Sequence, residues 1–165
     1  MMQRGRVIDS LEFARSRDVV SGRLDLAGLQ RLAGLLADAS GSLDYEVRGE
    51  FDGTKAFLSV RLDGELPLTC QRCLSPLRLV VNLRKRLMLV APGAPWPEDD
   101  QAGGLEDERC DAIEGSQALD LDRMLEEEIL LGLPISPRHE SCEPPAAMVS
   151  RTPSPFAELS RLKCN

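Results

Sequence analysis

The chain has 165 residues, 42% of them hydrophobic and 28% charged, a globular composition long enough for one moderate core. Its formal net charge of −7 favours solubility and argues against attraction to nucleic acid over the whole surface, while leaving room for a local basic face. There is no apolar run of about 20 residues, so no membrane span is expected. The opening "MMQRGRVIDSLEF" meets acidic residues almost at once and lacks the apolar segment of a signal peptide. A cytoplasmic, reducing setting is therefore expected, in which the five cysteines do not form structural disulfides.

Residues 25–41, "DLAGLQRLAGLLADASG", show helical periodicity. Leu26, Leu29, Leu32, Leu35 and Leu36 fall on one stripe, Asp25 is a candidate cap, and Ser40 and Gly41 stop the run. Just before it, Val19, Val20 and Leu24 suggest a short edge strand. After residue 41 the period changes to two. Leu43, Tyr45, Val47 and Phe51 share one side, and "DGT" at 52–54 supplies a turn. Ala56, Leu58, Val60 and Leu62 give a second strand, with "DGE" at 63–65 reading as a further turn or bulge. The third strand is "LRLVVNLRKRLMLV", 77–90. Leu77, Leu79, Val81, Leu83, Leu87 and Leu89 point to a core, Arg78, Asn82, Arg84 and Arg86 point away, and Lys85 interrupts the apolar side.

Composition shifts at Pro92. Residues 91–117 are rich in proline, glycine and acid, have little to bury, and read as a mobile excursion. Helical spacing resumes in "LDLDRMLEEEILLGLP", 119–134. Asp120 or Asp122 begins that helix, Leu121, Met124, Leu125 and Ile129 share a face, and Gly132 and Pro134 end it. Glu126, Glu127 and Glu128 read as its solvated side. These segments predict an α+β fold: a curved antiparallel sheet, closing towards a barrel and covered by helices near 25–38 and 120–131. Residues 1–143 form one domain carrying the acidic excursion, and 144–165 a tail with a short docking helix.

Cys70-x-x-Cys73 raises three readings: a redox pair, half of a metal site, or two small buried side chains. A redox pair should open a helix in a βαβ unit, where the helix terminus favours the thiolate. Here Pro76 follows and strands flank the pair, so redox chemistry fits worst. His139-x-x-Cys142 repeats the offset, and two such pairs on separate loops suit a tetrahedral structural zinc held by Cys70, Cys73, His139 and Cys142. Against this, a long stretch separates the pairs, no glycine-rich knuckle is evident, and Cys110 and Cys164 show that cysteine is not rationed. Inert turn cysteines and a solvent-facing histidine are the simpler account.

From 71 to 90 the charged residues are Arg72, Arg78, Arg84, Lys85 and Arg86, with no acid among them. Such a row can meet successive phosphates, and the arginine fork suits bidentate contact. Aromatic residues, which partner basic ones in single-strand recognition, are missing, and an ordinary solvated strand face explains the row as well. No nucleophile, paired catalytic carboxylates or phosphate-cradling glycine loop stands out, so the chain does not read as an enzyme.

Three stretches in order carry a resemblance: "LTCQRCLSPL", then "LDLDRMLEEEILLGLPISPRHESCE", then "PSPFAELSRLK". Together they resemble the YceD family, the large ribosomal RNA subunit accumulation proteins, and "SLEFARSRDVVSGRL" sits where that family has an N-terminal helix and first strand. By position the resemblance carries over Cys70, Arg72 and Cys73; Asp120, Leu121, Glu127, Glu128, Leu133 and Pro134; and Pro155, Phe156, Ala157, Leu159 and Leu162. It implies a non-enzymatic bacterial factor for accumulation of large-subunit ribosomal RNA and for ribosome assembly, acting by binding that RNA or its precursor. The alternative is an acidic adaptor that holds a ribosomal protein or assembly factor. Pro155, Phe156, Leu159 and Leu162 then form either a helix packed on the domain or an anchor for such a partner. Some relatives have a cysteine-rich segment after the helix; this chain keeps only His139 and Cys142 there.

Overall fold

Alternation of apolar and polar residues continues almost unbroken through 56–69 and 76–90, and a computed structural model shows both stretches as strands along their whole length. The structure describes residues 6–97 and 110–145. In chain order, β1 is Val7–Ile8, α1 Ser10–Ser16, β2 Val19–Asp25, β3 Ser42–Phe51, β4 Ala56–Thr69 and β5 Pro76–Val90. They are followed by β6 at Asp111–Glu114, β7 at Leu119–Asp120 and α2 at Leu121–Gly132. One sheet has the order β2-β3-β4-β5-β6, and β1 pairs with β7 as a separate antiparallel ribbon.

Several expectations are corrected. The sheet is neither a curved antiparallel one nor barrel-like: its order is open, and β6 runs parallel to β5, which makes it mixed. The α+β class stands. β6 lies inside the acidic stretch read as having little to bury; Ile113 packs against the core and gives that part a reason to order.

The helix expected near 25–38 does not form either. Only Leu26–Gly28 is helical, as one 3-10 turn, and the rest is turns and irregular chain with an isolated bridge from Leu36 to Leu68. The leucine stripe is still used, since Leu26, Leu29 and Leu32 are buried. Tertiary partners take the backbone groups a helix would have paired. Glu126 Oε1 accepts the amides of Arg31 at 2.7 Å and Leu32 at 3.1 Å, while Ala37 donates to Pro67 O at 2.7 Å and Leu35 O accepts from Thr69 at 2.9 Å. Gly28 and Gly34 each weaken a helix by about 1 kcal/mol relative to alanine, so the competing pairing wins.

The "DGE" at 63–65 is not a turn, because β4 passes through it in unbroken register with β5. Gly64, at φ +150°, leaves room there: a Cβ would lie 2.6 Å from Leu43 Cδ2. At Gly49 a Cβ would lie 2.3 Å from Phe13 O, so glycine is what lets α1 rest on β3. The core lies between one sheet face and these covers. Leu43, Val47, Leu58, Leu62, Leu66 and Leu87 meet Phe13 and Ala14 of α1, the 26–36 segment, and Leu121, Leu125 and Ile129 of α2. Asp120 caps α2 by accepting the Arg123 amide at 3.2 Å. No helix among the described residues is long and apolar enough to cross a membrane.

Glu126 is 6% exposed and holds two amides, so Glu126→Ala should destabilise the fold by about 2–4 kcal/mol in urea unfolding, with Glu126→Gln costing less because it keeps an acceptor. Equal stability of Glu126→Ala and the parent would remove this carboxylate from the account of the 26–36 segment.

Candidate functional site

The tip of the β4–β5 hairpin, residues 70–75, folds as a tight knuckle. The Cys70 amide donates to Ser75 O at 3.0 Å and Cys70 O accepts from Leu74 at 3.0 Å. Leu74 takes the left-handed conformation, φ 60°, that such a turn requires after its second cysteine. The knuckle is therefore present with leucine in the place where a glycine would have announced it. The loop after α2 is held beside it, because the Gln71 amide donates to Pro137 O at 2.8 Å.

This pairing of loops assembles the two cysteine-containing pairs. Cys70 Sγ lies 3.8 Å from Cys142 Sγ, and Cys73 Sγ lies 3.3 Å from His139 Nδ1. All four donor atoms fall within 4.8 Å of one another. The other histidine nitrogen, Nε2, lies 3.1 Å from Pro76 O. A proton on Nε2 donated to that carbonyl leaves Nδ1 with a lone pair facing the sulfurs, the orientation that metal-bound histidines are given by their outer partners.

The electrostatics fit the same use. Burial pushes the Cys70 thiol up, but the amides of Cys73, Arg72 and His139 aimed at it more than reverse this, and it falls to about 5. Cys73 is lowered by the Ser75 amide. His139 is raised by its contact with Cys73, and Cys142 is raised by burial and by the two neighbouring thiols. Several groups thus compete over negative charge in one small space, and a dication would stabilise the thiolates together. The donor set suits zinc in a closed tetrahedral site: bonds of about 2.3 Å to sulfur imply sulfur–sulfur edges of roughly 3.8 Å. Cys70, Cys73, His139 and Cys142 can hold such an ion. Cys110 is elsewhere, its thiol donating to Arg86 O at 3.0 Å.

The basic strand is divided. Arg78, Arg84 and Arg86 share the sheet face turned away from the core, whereas Lys85 is on the opposite face and pairs with Asp111 at 2.9 Å. Carboxylates across the sheet, invisible to a reading of 71–90 alone, meet the arginines. Arg78 pairs with Glu65 at 3.2 Å, Arg84 with Asp63 at 2.8 Å, and Arg86 with Glu50 at 2.9 Å. Arg86 also stacks on Phe57, 3.9 Å from the ring centroid. Arg72 sits exposed on the knuckle. The three glutamates of α2 are not all solvated: Glu126 and Glu128 are buried, and only Glu127 is exposed, 3.7 Å from Arg31. The docking residues Pro155, Phe156, Leu159 and Leu162 lie outside the described residues.

Four metal-type donors at a hairpin tip, beside a charged sheet face, mark a protein of α+β class with a candidate metal centre. The family model described as "Large ribosomal RNA subunit accumulation protein YceD" matches residues 58–163, which takes in the hairpin, the cluster and α2. A curated protein of that same description from Haemophilus influenzae is 31% identical over 165 residues, spanning 86% of this chain and 88% of its own length. No solved structure gives a significant match. The chain belongs to the YceD family, whose members are non-enzymatic.

The left-handed conformation costs a residue with a Cβ about 1–2 kcal/mol, but glycine's extra unfolded-state freedom and the lost half-buried side chain offset that relief, so Leu74→Gly should stay within about 0.5 kcal/mol of the parent. Leu74 is 47% exposed, so about half of its side chain leaves a buried setting, and urea unfolding reads the net difference. A destabilised variant would show that Leu74 makes a contact worth more than the strain.

Proposed function

We propose that the protein supports accumulation of large-subunit ribosomal RNA, in the cytoplasm, by binding that RNA or its precursor through Arg72, Arg78 and Arg84. The observation that carries this is the place of Arg78 and Arg84 on the face of β5 turned away from the core, which leads directly to the knuckle bearing Arg72. The Arg78 ion pair does not prevent it, while Arg84, held by both Asp63 oxygens and by the carbonyls of Leu62 and Leu83, has to exchange Asp63 for the phosphate. The Arg78 side chain is 84% exposed and its Glu65 partner 55%, and such pairs contribute only about 0–1 kcal/mol, so a phosphate can replace the carboxylate. Arg86, stacked and paired, serves to hold the sheet face, and Lys85 faces the other way. Acids interleaved on the same face limit non-specific attraction, which suits a factor with a net charge of −7.

Zinc on Cys70, Cys73, His139 and Cys142 would fix the hairpin tip to the loop after α2 and so set the position of Arg72. Protein purified without chelator should carry one zinc per chain. Its removal should lower the melting temperature and expose the Gln71 amide, which is bonded to Pro137, to hydrogen exchange. A fully folded chain that takes up no zinc at micromolar concentration would end this reading.

In-cell crosslinking of the parent should recover large-subunit precursor RNA directly, and Arg78→Ser with Arg84→Ser should abolish those crosslinks in a folded protein. In vitro, losing two phosphate contacts should reduce the slope of log affinity against log salt by about 1.4 for single-stranded RNA. Unchanged association with ribosomal precursors in the absence of any direct RNA crosslink would overturn RNA binding.

A further inference from the structure

Where β6 passes alongside α2, on the core side of the sheet, the surface forms a groove of about 480 Å³. Asp111, Glu114, Asp120, Glu127 and Glu128 line it, with Arg123 among them. The important residue is Glu128. It is 5% exposed, and its Oε2 is buried with no hydrogen-bond partner among the described residues. Burial holds its carboxyl above the usual range, and Lys85, which acts in the other direction, is already engaged by Asp111 at 2.9 Å. A buried carboxylate oxygen without a donor is costly, and a cationic donor entering the groove would remove that cost.

Two further features limit what can enter. β6 has a neighbouring strand on one side only among the described residues, so its other edge offers backbone donors and acceptors to an extended chain. Leu131, 70% exposed, adds an apolar contact in the groove lining. The acid lining repels nucleic acid, and an apolar helix would leave Glu128 without a donor. Residues 98–109 are acid-rich in sequence and do not complement it.

We infer that this groove binds an extended basic segment of a partner protein, with one lysine or arginine donating to Glu128 Oε2 and the segment lying along β6. The site is separate from the arginine-bearing face, so it stands whether or not RNA binds there.

The probe is a fluorescently labelled peptide of alternating lysine and threonine, titrated against the full chain. Binding should weaken about tenfold in Glu128→Gln, the loss expected for one charge-assisted hydrogen bond. It should be unchanged in Asp44→Asn with Glu46→Gln, which removes more charge from the opposite sheet face. Bound peptide should also slow hydrogen exchange at 111–114. Melting temperatures verify that each variant is folded, and Glu128→Gln keeps the side-chain shape. Equal weakening in both variants would reduce the effect to net charge and overturn the site. So would failure of the parent chain to bind, or a single-stranded RNA binding with the same dependence on Glu128.

Discussion

The β4–β5 ladder is the constraint from which the remaining architecture follows. It is continuous from Ala56 opposite Leu89 to Thr69 opposite Pro76, and the side-chain period of two gives each register position a fixed face. In this register Leu58, Leu62, Leu66 and Leu87 are interior, while Arg61, Glu65, Arg78 and Arg84 are exterior. A slip of one residue would exchange the two sets, burying charge and exposing leucine, so the register is strongly specified. The ladder also delivers the cysteine knuckle to its own tip, where the backbone has to reverse. β3 and β2 extend it on one side and β6 on the other, and α2 covers its dry face.

Metal-binding geometry here is a consequence of that hairpin and of a second, weaker connection. The hairpin brings Cys70 and Cys73 together locally. His139 and Cys142 reach them because α2 ends at Gly132 and the following loop is tied to Gln71 through Pro137 and to Pro76 through His139. A metal bond set across these two loops would be far stronger than either hydrogen bond. That is why the cluster reads as a clamp on architecture rather than as an open reactive centre.

Three consecutive glutamates show how position changes the chemistry of one residue type. Successive helical residues turn by about 100°, so Glu126, Glu127 and Glu128 meet different surroundings. Glu126 faces two backbone amides and replaces the hydrogen bonds of a helix that did not form. Glu127 is exposed near Arg31, in a pair of small energetic weight. Glu128 is buried next to an ion pair that already has its partner. The chain thus separates its charges by surface: balanced pairs on the outer sheet face, and an acidic excess where β6 and α2 meet.

The sequence by itself determined the elements whose signal is local. Alternation in 43–51, 56–62 and 77–90 marked the strands, Asp120 and the 121–129 spacing marked α2, and the three ordered stretches marked the family. The four candidate ligands were also legible, from two pairs with equal offset. What only tertiary structure decided depended on partners far along the chain. The leucine stripe at 26–36 has helical spacing, yet a carboxylate some ninety residues away holds its amides. The parallel strand β6 pairs across a connection whose composition carries no strand signal. The knuckle was hidden because Leu74 occupies a glycine conformation. The arginine row appeared unopposed because Asp63, Glu65 and Glu50, its partners, are on neighbouring strands. Periodicity reports which face a residue takes within its own element; the identity of what it meets there is set by chain folding, through contacts that no local window contains.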